Sequence, residues 1–411
     1  MIQRLTDFDA IVIGAGPAGT ATAAILAESD KSVLILEKET FPRYHIGESL
    51  IPFNFFPLER LGMIPKLRES SFIKKYSVQF VGDCGTVSRP FYFDKHWEHP
   101  CSQTWQVERA TFDQMLLDNA LERGAEVRFG VTVKGLIEED GKVVGVDTDQ
   151  GAFRAPVTID GSGRNSVAIK QLGWRRSDDV LKKIAMWTYF KGAKRDEGID
   201  EGATTVAYVD GKNWFWYIPM RYDLISVGLV GSKDWMYKDG GKPQEIFDAA
   251  IQDNPWIADH LAGAEQVKKV DVTSDFSYRS EFCAKDGLVL TGDAFAFLDP
   301  VFSSGVFLAL YSGVLAGETI NALQGDYRGE HFQEYGKKFC TAIEAMRQLV
   351  YAFYNEDFNF GQLLKKYPDL RMDLTDCLIG NTEKDYDPLF SAVREFVDLP
   401  EPIAYGGPLG K

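Results

Sequence analysis

Asp9-Ala10-Ile11-Val12-Ile13-Gly14-Ala15-Gly16-Pro17-Ala18-Gly19-Thr20 is the stretch that decides the fold. Its apolar residues read as a short buried strand that runs straight into a G-x-G-x-x-G. A helix rich in small residues follows from Thr20 to Glu28, and a second strand from Ser32 to Leu36 ends at Glu37. Strand, glycines, helix, strand and terminal acid in this order form a dinucleotide-binding unit. Gly14 suits the tight turn, Gly16 lets backbone approach a pyrophosphate, and Gly19 lets helix pack on strand. The helix N-terminus stabilises the phosphate charge. Glu37 is placed to bond a ribose 2′-hydroxyl, which favours an adenosine without a 2′-phosphate.

Beyond this unit, composition bounds the class. The chain has 411 residues, 45% of them apolar and 13% aromatic, which supplies a large core and excludes a disordered protein. A net charge of −15 disfavours nucleic acid and anionic membrane surfaces as partners. Cys84, Cys101, Cys283, Cys340 and Cys377 are odd in number and contain no C-x-x-C. They imply reduced thiols and a cytoplasmic setting rather than a disulfide framework. There is no secretory leader pattern and no long apolar run, so secretion and membrane spanning are not expected. His96 and His99 precede Pro100-Cys101 in what reads as a loop, and no metal site is assigned to them.

Two later segments carry chemistry. Trp214-Phe215-Trp216-Tyr217-Ile218-Pro219 reads as W-x-W-x-I-P. On a strand, Trp214, Trp216 and Ile218 share one face while Phe215 and Tyr217 line the other, so neither face suits water. Phe297 to Gly305 reads as F-x-x-P-x-x-S-x-G and precedes a helical run from Val306 to Leu323. Pro300 stiffens the approach and Ser303 reads as the N-cap. The amides of Ser304 and Gly305 would then point out of a helix N-terminus, as an anion site needs.

Together with Thr40-Phe41-Pro42-Arg43-Tyr44-His45-Ile46-Gly47-Glu48-Ser49, these motifs resemble the flavin-dependent halogenases over nearly the whole chain. The resemblance implies an α/β, glutathione-reductase-type FAD fold with an antiparallel substrate-side sheet and C-terminal helices. It implies FAD supplied as FADH2, molecular oxygen, and chloride or bromide. In that family the reduced flavin forms a hydroperoxide, a halide beside it attacks the distal oxygen, and hypohalous acid travels to a lysine. Ser304 and Gly305 match the halide amides. Phe72-Ile73-Lys74-Lys75-Tyr76-Ser77 resembles the lysine segment, with Lys75 on the catalytic position and Ser77 departing from the usual glycine. Lys74 is the weaker candidate. A long stem and an ammonium suit delivery of a halogen, and desolvation would lower the pKa.

The resemblance also places Gly14, Gly16, Ala18, Gly19, Glu37, Lys38, Arg43, Gly47, Glu48, Ser49 and Arg109 at the cofactor. Asp160 of a D-x-S-G-R strand end, Gly292-Asp293 of a late G-D-A, and Pro300, Ser303, Gly305 and Val306 join them. Trp214, Trp216, Pro219 and Phe302 are expected to line the tunnel between flavin and substrate. Free-tryptophan halogenases carry a glutamate where this chain has Phe302, so the likeness is to the branch acting on phenols and pyrroles in secondary metabolism. An aromatic small molecule, in some members tethered to an acyl or peptidyl carrier protein, and a separate flavin reductase are the implied partners. A monomer or homodimer is expected.

Residues 1–170 and 270–325 read as an interrupted FAD-binding domain, 171–269 as a sheet roofing the flavin, and 326–411 as a helical region. Phe332, Tyr335, Phe339, Met346, Val350 and Phe353 recur at helical spacing, giving one long amphipathic helix. The alternative reading is a flavin monooxygenase or reductase on the same fold. The absence of a second nucleotide fingerprint weighs against it.

Overall fold

The computed structural model describes residues 8–274, 277–400 and 407. The dinucleotide unit forms from Ala10–Ile13, Pro17–Ala27 and Val33–Glu37. The helix opens at Pro17 rather than Thr20, because the fixed φ of proline suits the first helical position and its missing N–H costs nothing there. Gly19 permits the close packing of helix on strand: a side chain there would lie 2.0 Å from the Gly14 carbonyl oxygen.

Ala10–Ile13 lies between Val33–Glu37 and Val157–Asp160, parallel to both. Glu126–Phe129 and Leu288–Leu290 extend this sheet in parallel, and Ala284–Lys285 closes one edge antiparallel. Helix Gly305–Ala322 runs against helix Pro17–Ala27, where the Thr22 hydroxyl donates to the Gly313 carbonyl at 3.0 Å. The two helix N-termini that the sequence marks as anion sites therefore belong to one packed pair.

A second, larger sheet is built around Trp214–Pro219, which pairs antiparallel with Thr204–Tyr208 and Leu224–Gly231. Ile184–Lys191 continues it beside Leu224–Gly231. The sheet is not purely antiparallel as expected. Ser77–Val81 joins Thr204–Tyr208 in parallel. A parallel pair needs a long crossover, and here the chain builds other elements between residues 82 and 203 before returning.

The alternation in the tryptophan strand is realised as read. Trp214, Trp216 and Ile218 share a core with Phe302, Val350 and Phe353. Phe215 and Tyr217 share another with Phe247, Trp256 and Ile257, from the helices Pro243–Asp253 and Pro255–Leu261. The apolar stripe forms one helix, Gln333–Tyr354, with Tyr335, Phe339, Met346, Val350 and Phe353 all buried. Among the described residues no helix is long and apolar enough to cross a membrane.

Candidate active site

At the nucleotide end, Gly16 stands before the first turn of Pro17–Ala27, with Ala18 buried inside it. The Arg43 guanidinium comes within 3.5 Å of where a Gly16 side chain would begin. It is also paired with Asp113 at 3.1 Å. A cation held over a helix N-terminus fits a pyrophosphate. The Glu37 carboxylate is buried and accepts from the Ala15 amide at 2.8 Å and the Glu39 amide at 2.9 Å. Each oxygen keeps a lone pair for a ribose hydroxyl. Lys38 is exposed beside Glu39, 3.6 Å away.

Asp160 spends its carboxylate on its own strand end. It accepts from the Ser162 amide at 3.0 Å and the Ala168 amide at 2.7 Å. The Gly292 amide donates to the Ser312 hydroxyl at 2.9 Å. Asp293 follows it, and desolvation raises its pKa to about 6 against the opposing pull of Arg109 and Arg164. Arg109 is buried and held in a fork by Asp113 at 2.8 and 3.0 Å, and it donates to the Ile46 carbonyl at 2.8 Å. Arg109 thus bonds the G-E-S segment and acts electrostatically on Asp293 of the G-D-A segment. The cations Arg43 and Arg109, tied together by Asp113, and the carboxyl of Asp293 suit the phosphates and ribityl hydroxyls of FAD.

The halide turn differs from expectation by one residue. Asp299 accepts from the Val301 amide at 3.0 Å and so caps a tight turn, Pro300–Phe302. Ser303 closes that turn, its amide donating to the Pro300 carbonyl at 2.9 Å. It is left at φ +56°, in the left-handed region. The helix cap therefore falls on Ser304, not Ser303, and the helix runs Gly305–Ala322 with Val306 in its first turn. The correction leaves Ser304 and Gly305 where backbone N–H groups have no acceptor within the helix.

A buried chain of hydrogen bonds ties this turn to the tryptophan strand. Trp214 Nε1 donates to the Tyr354 hydroxyl at 2.9 Å, and that hydroxyl donates to Asp299 Oδ2 at 2.9 Å. Phe302 packs edge-on against Phe353, centroids 5.7 Å apart. Trp216 Nε1 donates to the Ser226 hydroxyl at 3.1 Å, and Pro219 ends the strand in a buried position. Neither Tyr354 nor the side-chain role of Asp299 is visible in the motif. The only signal for the second is the Asp-Pro dipeptide, a turn opener.

Lys75 ends the strand Ile73–Lys75, paired with Thr104–Gln106. Strand alternation puts Lys74 in solvent and Lys75 inside, where it is only 1% exposed. Its Nζ donates to the Ser49 hydroxyl at 2.8 Å and the Leu50 carbonyl at 3.1 Å. It sits 5.7 Å from the centre of the Phe93 ring. Both of these hydrogen-bond partners are neutral, so burial lowers its pKa to about 7. Ser77 earns its place by donating to Asp200 at 2.9 Å, a bond that glycine could not make.

One short segment connects the two chemical groups. Gly47 has φ +102°, and a side chain there would meet Arg109 Nη1 at 3.1 Å and Val306 at 4.0 Å. Ser49, two residues on, holds Lys75. Two extended residues span about 7 Å. The segment Gly47-Glu48-Ser49 therefore runs from the start of helix Gly305–Ala322 to Lys75, with Glu48 between them.

The histidines take other roles. His96 bonds Asp376 at 2.6 Å and His99 stacks on Trp97 and Phe56.

With this geometry in hand, the relatives of the chain can be placed. Residues 9–105 and 93–360 match the family described as Tryptophan halogenase. The chain is 33% identical to the 1H-pyrrole-2-carbonyl-[peptidyl-carrier protein] brominase of Pseudoalteromonas luteoviolacea, over 92% of this chain and 93% of that one. It is 29% identical to the corresponding chlorinase of Pseudomonas fluorescens, over 91% and 89%. The solved structure of the flavin-dependent brominase Bmp2 superposes with a TM-score of 0.85 at 30% identity, covering 94% of this chain and 98% of that one. The motifs, the site they build and these likenesses agree that the chain belongs to the flavin-dependent halogenases.

Proposed function

We propose that this enzyme halogenates an electron-rich ring of the pyrrole or phenol class, and that its preferred substrate is a pyrrole-2-carbonyl group on a peptidyl carrier protein. The observation that carries the reading is the buried Lys75, held by Ser49 two residues along from Gly47, which lies close to Val306 beside the Ser304–Gly305 turn. Bound flavin supplies the oxidising equivalent that converts halide to hypohalous acid. The first-turn amides of Ser304 and Gly305 hold the halide in place, with the helix N-terminus favouring its negative charge. The Trp214–Pro219 strand and Phe302 form an apolar wall that keeps bulk water and the ring away from the halide.

Lys75 then acts on hypohalous acid. Its ammonium donates a hydrogen bond to the oxygen and polarises the O–halogen bond toward the ring. The halogen leaves with a positive partial charge, and the ring proton departs with the oxygen as water. A pKa of about 7 keeps this ammonium one small step from the neutral amine, which suits a group that passes a proton at neutral pH. Phe302 stands where free-tryptophan halogenases have a glutamate, so Lys75 works without that partner.

The carrier and chain-length likenesses to the pyrrole brominase and chlorinase support the tethered substrate. On the surface Arg176 pairs with Glu281, Lys182 with Asp179 and Lys366 with Glu395, so these cations are already neutralised. Docking would rest on shape and on the remaining cations. The free cysteines favour a reducing, cytoplasmic setting, where a separate reductase delivers FADH2.

The test is reconstitution with FAD, a flavin reductase, NADH and bromide or chloride. Pyrrole-2-carbonyl carrier protein, free pyrrole-2-carboxylate and a simple phenol are compared by mass spectrometry. Halogenation fastest on the carrier-bound pyrrole is expected. Hydroxylated products alone would reject halogenation, and equal rates on the free acid would reject the tether.

A further inference from the structure

Three aromatic side chains join the buried Glu48 to solvent. Glu48 is 3% exposed, and its Oε1 accepts from the Tyr189 hydroxyl at 2.5 Å. The Tyr189 oxygen lies 3.0 Å from the Tyr44 hydroxyl. Tyr44 is 49% exposed, and its hydroxyl accepts from Trp187 Nε1 at 2.6 Å. Trp187 and Tyr189 alternate on one strand and so present the same face.

An indole N–H can only donate, so Trp187 occupies a lone pair of Tyr44. The Tyr189 hydroxyl donates toward both Tyr44 at 3.0 Å and Glu48 at 2.5 Å, and its single proton serves one of them at a time. Lys268 lies 4.1 Å from the Tyr44 ring centre and 5.7 Å from that of Tyr189, where its charge steadies a hydroxyl that is giving up its proton.

We propose that Tyr44 and Tyr189 form a proton relay that carries protons from solvent to Glu48, the residue between Gly47 beside Val306 and Ser49, which holds Lys75. The purpose rests on the halogenase reading. The overall reaction is FADH2 + O2 + halide + ring C–H + H⁺ giving FAD + ring C–halogen + two water molecules, which balances in atoms and charge. One proton per turnover must therefore enter a site whose walls exclude water. Tyr189 releases its proton to Glu48, its oxygen takes the Tyr44 proton in exchange, and solvent returns a proton to Tyr44.

Glu48 is suited to the terminal position. Burial raises its pKa to about 7, against the stabilising effects of Tyr189, Ser226 and Arg109, while Glu108 adds to the rise. Near neutral pH the carboxyl gains and loses a proton at little cost. These four groups come from the second sheet and from the start of helix Arg109–Glu122, and Tyr44 faces the carboxyl through Tyr189.

The test does not need turnover. In the FAD-loaded protein, Glu48 is followed by the infrared carboxyl band that disappears in Glu48→Gln. After a rapid pH drop, proton arrival should slow at least tenfold in Tyr44→Phe and in Tyr189→Phe. In Tyr44→Phe the titration midpoint of the band should stay near that of the unaltered protein, because the Tyr189–Glu48 bond survives. Unchanged arrival rates in both variants would overturn the relay. A purely structural role would move stability but not these rates. In the halogenation assay the solvent isotope effect should rise in the same two variants. Absence of halogenated product from the unaltered enzyme would reject the halogenase reading and leave the infrared result to stand on its own.

Discussion

At the nucleotide end, Arg109 meets Asp113 through a two-bond fork, Glu37 accepts from two amides, and Asp160 accepts from two more. At the other end of the G-E-S segment, Lys75 is equally buried yet bonds only a serine hydroxyl and a carbonyl. Glu48 beside it accepts from the Tyr189 hydroxyl. Both ends bury charge, but the first gives most of its charges several partners, Asp293, at a pKa of about 6, being the exception. Charge shared among several partners orders a binding surface. Uncompensated charge is pushed to a pKa near neutrality, and both Lys75 and Glu48 come to about 7. Groups of that kind gather where protons move. On the proposed function, the difference separates the part that would hold the cofactor from the part that would do the chemistry.

The comparison can be broken from the compensated side first. Asp113 is completely buried and serves both Arg109 and Arg43. Asp113→Ala strands the Arg109 charge, which should cost about 3–5 kcal/mol. Thermal unfolding should shift down by several degrees, and FAD should bind much more weakly. A variant with unaltered melting temperature and FAD affinity would show that the fork compensates nothing.

From the uncompensated side the sign reverses. The Lys75 pKa falls from an ordinary 10.5 to about 7 in the folded protein. Between these values the unfolded chain binds more protons, so stability rises with pH across the window and the burial penalty is largest below pH 7. Lys75→Met should remove that penalty, raising stability at pH 6 by an amount on the order of a few kcal/mol. The unpaired Leu50 carbonyl offsets part of the gain, about 1 kcal/mol, while the Ser49 hydroxyl keeps Thr204 as a partner at 2.8 Å. The advantage should shrink as pH climbs toward 10.5, as denaturant titrations at several pH values would show.

A smaller effect is expected where the halide turn is only positioned. Tyr354→Phe removes the hydroxyl between Trp214 and Asp299 and leaves both partners wanting. The cost of about 1–3 kcal/mol falls on the turn that presents Ser304 and Gly305. Bromide KM should rise about tenfold, while the affinity for FAD, set at the other end, stays put. The smallest effect belongs to Lys38→Ala, since Lys38 is exposed beside Glu39 and makes no buried contact. FAD affinity within about twofold of the original is expected.

Much of this was legible in the sequence. The glycine spacing, Glu37 and the tryptophan alternation specify local geometry directly, because each depends on neighbours within a few residues. Lys75 was distinguishable from Lys74 by its place in a motif, and strand alternation then buried one and exposed the other. What the sequence hid depends on contacts across long chain separations. The parallel pairing of Ser77–Val81 with Thr204–Tyr208, the Trp214–Tyr354–Asp299 chain and the Tyr44–Tyr189–Glu48 chain each join segments more than a hundred residues apart or on different sheets. Ser303 reads as a cap yet the cap is Ser304, for a different reason. Asp299 opens a tight turn first, and that turn consumes Ser303 before the helix begins.

The central claim is that Lys75 delivers the halogen, and the ratio of halogenated product to flavin oxidised tests it most directly. In Lys75→Met with the carrier-bound pyrrole and bromide, flavin oxidation should continue within about twofold, while brominated product falls by about 10²–10⁴. Lys75→Arg should not restore it, since a guanidinium stays charged and does not fit a pocket shaped for a compact ammonium. Brominated product at the original rate in Lys75→Met would contradict the account.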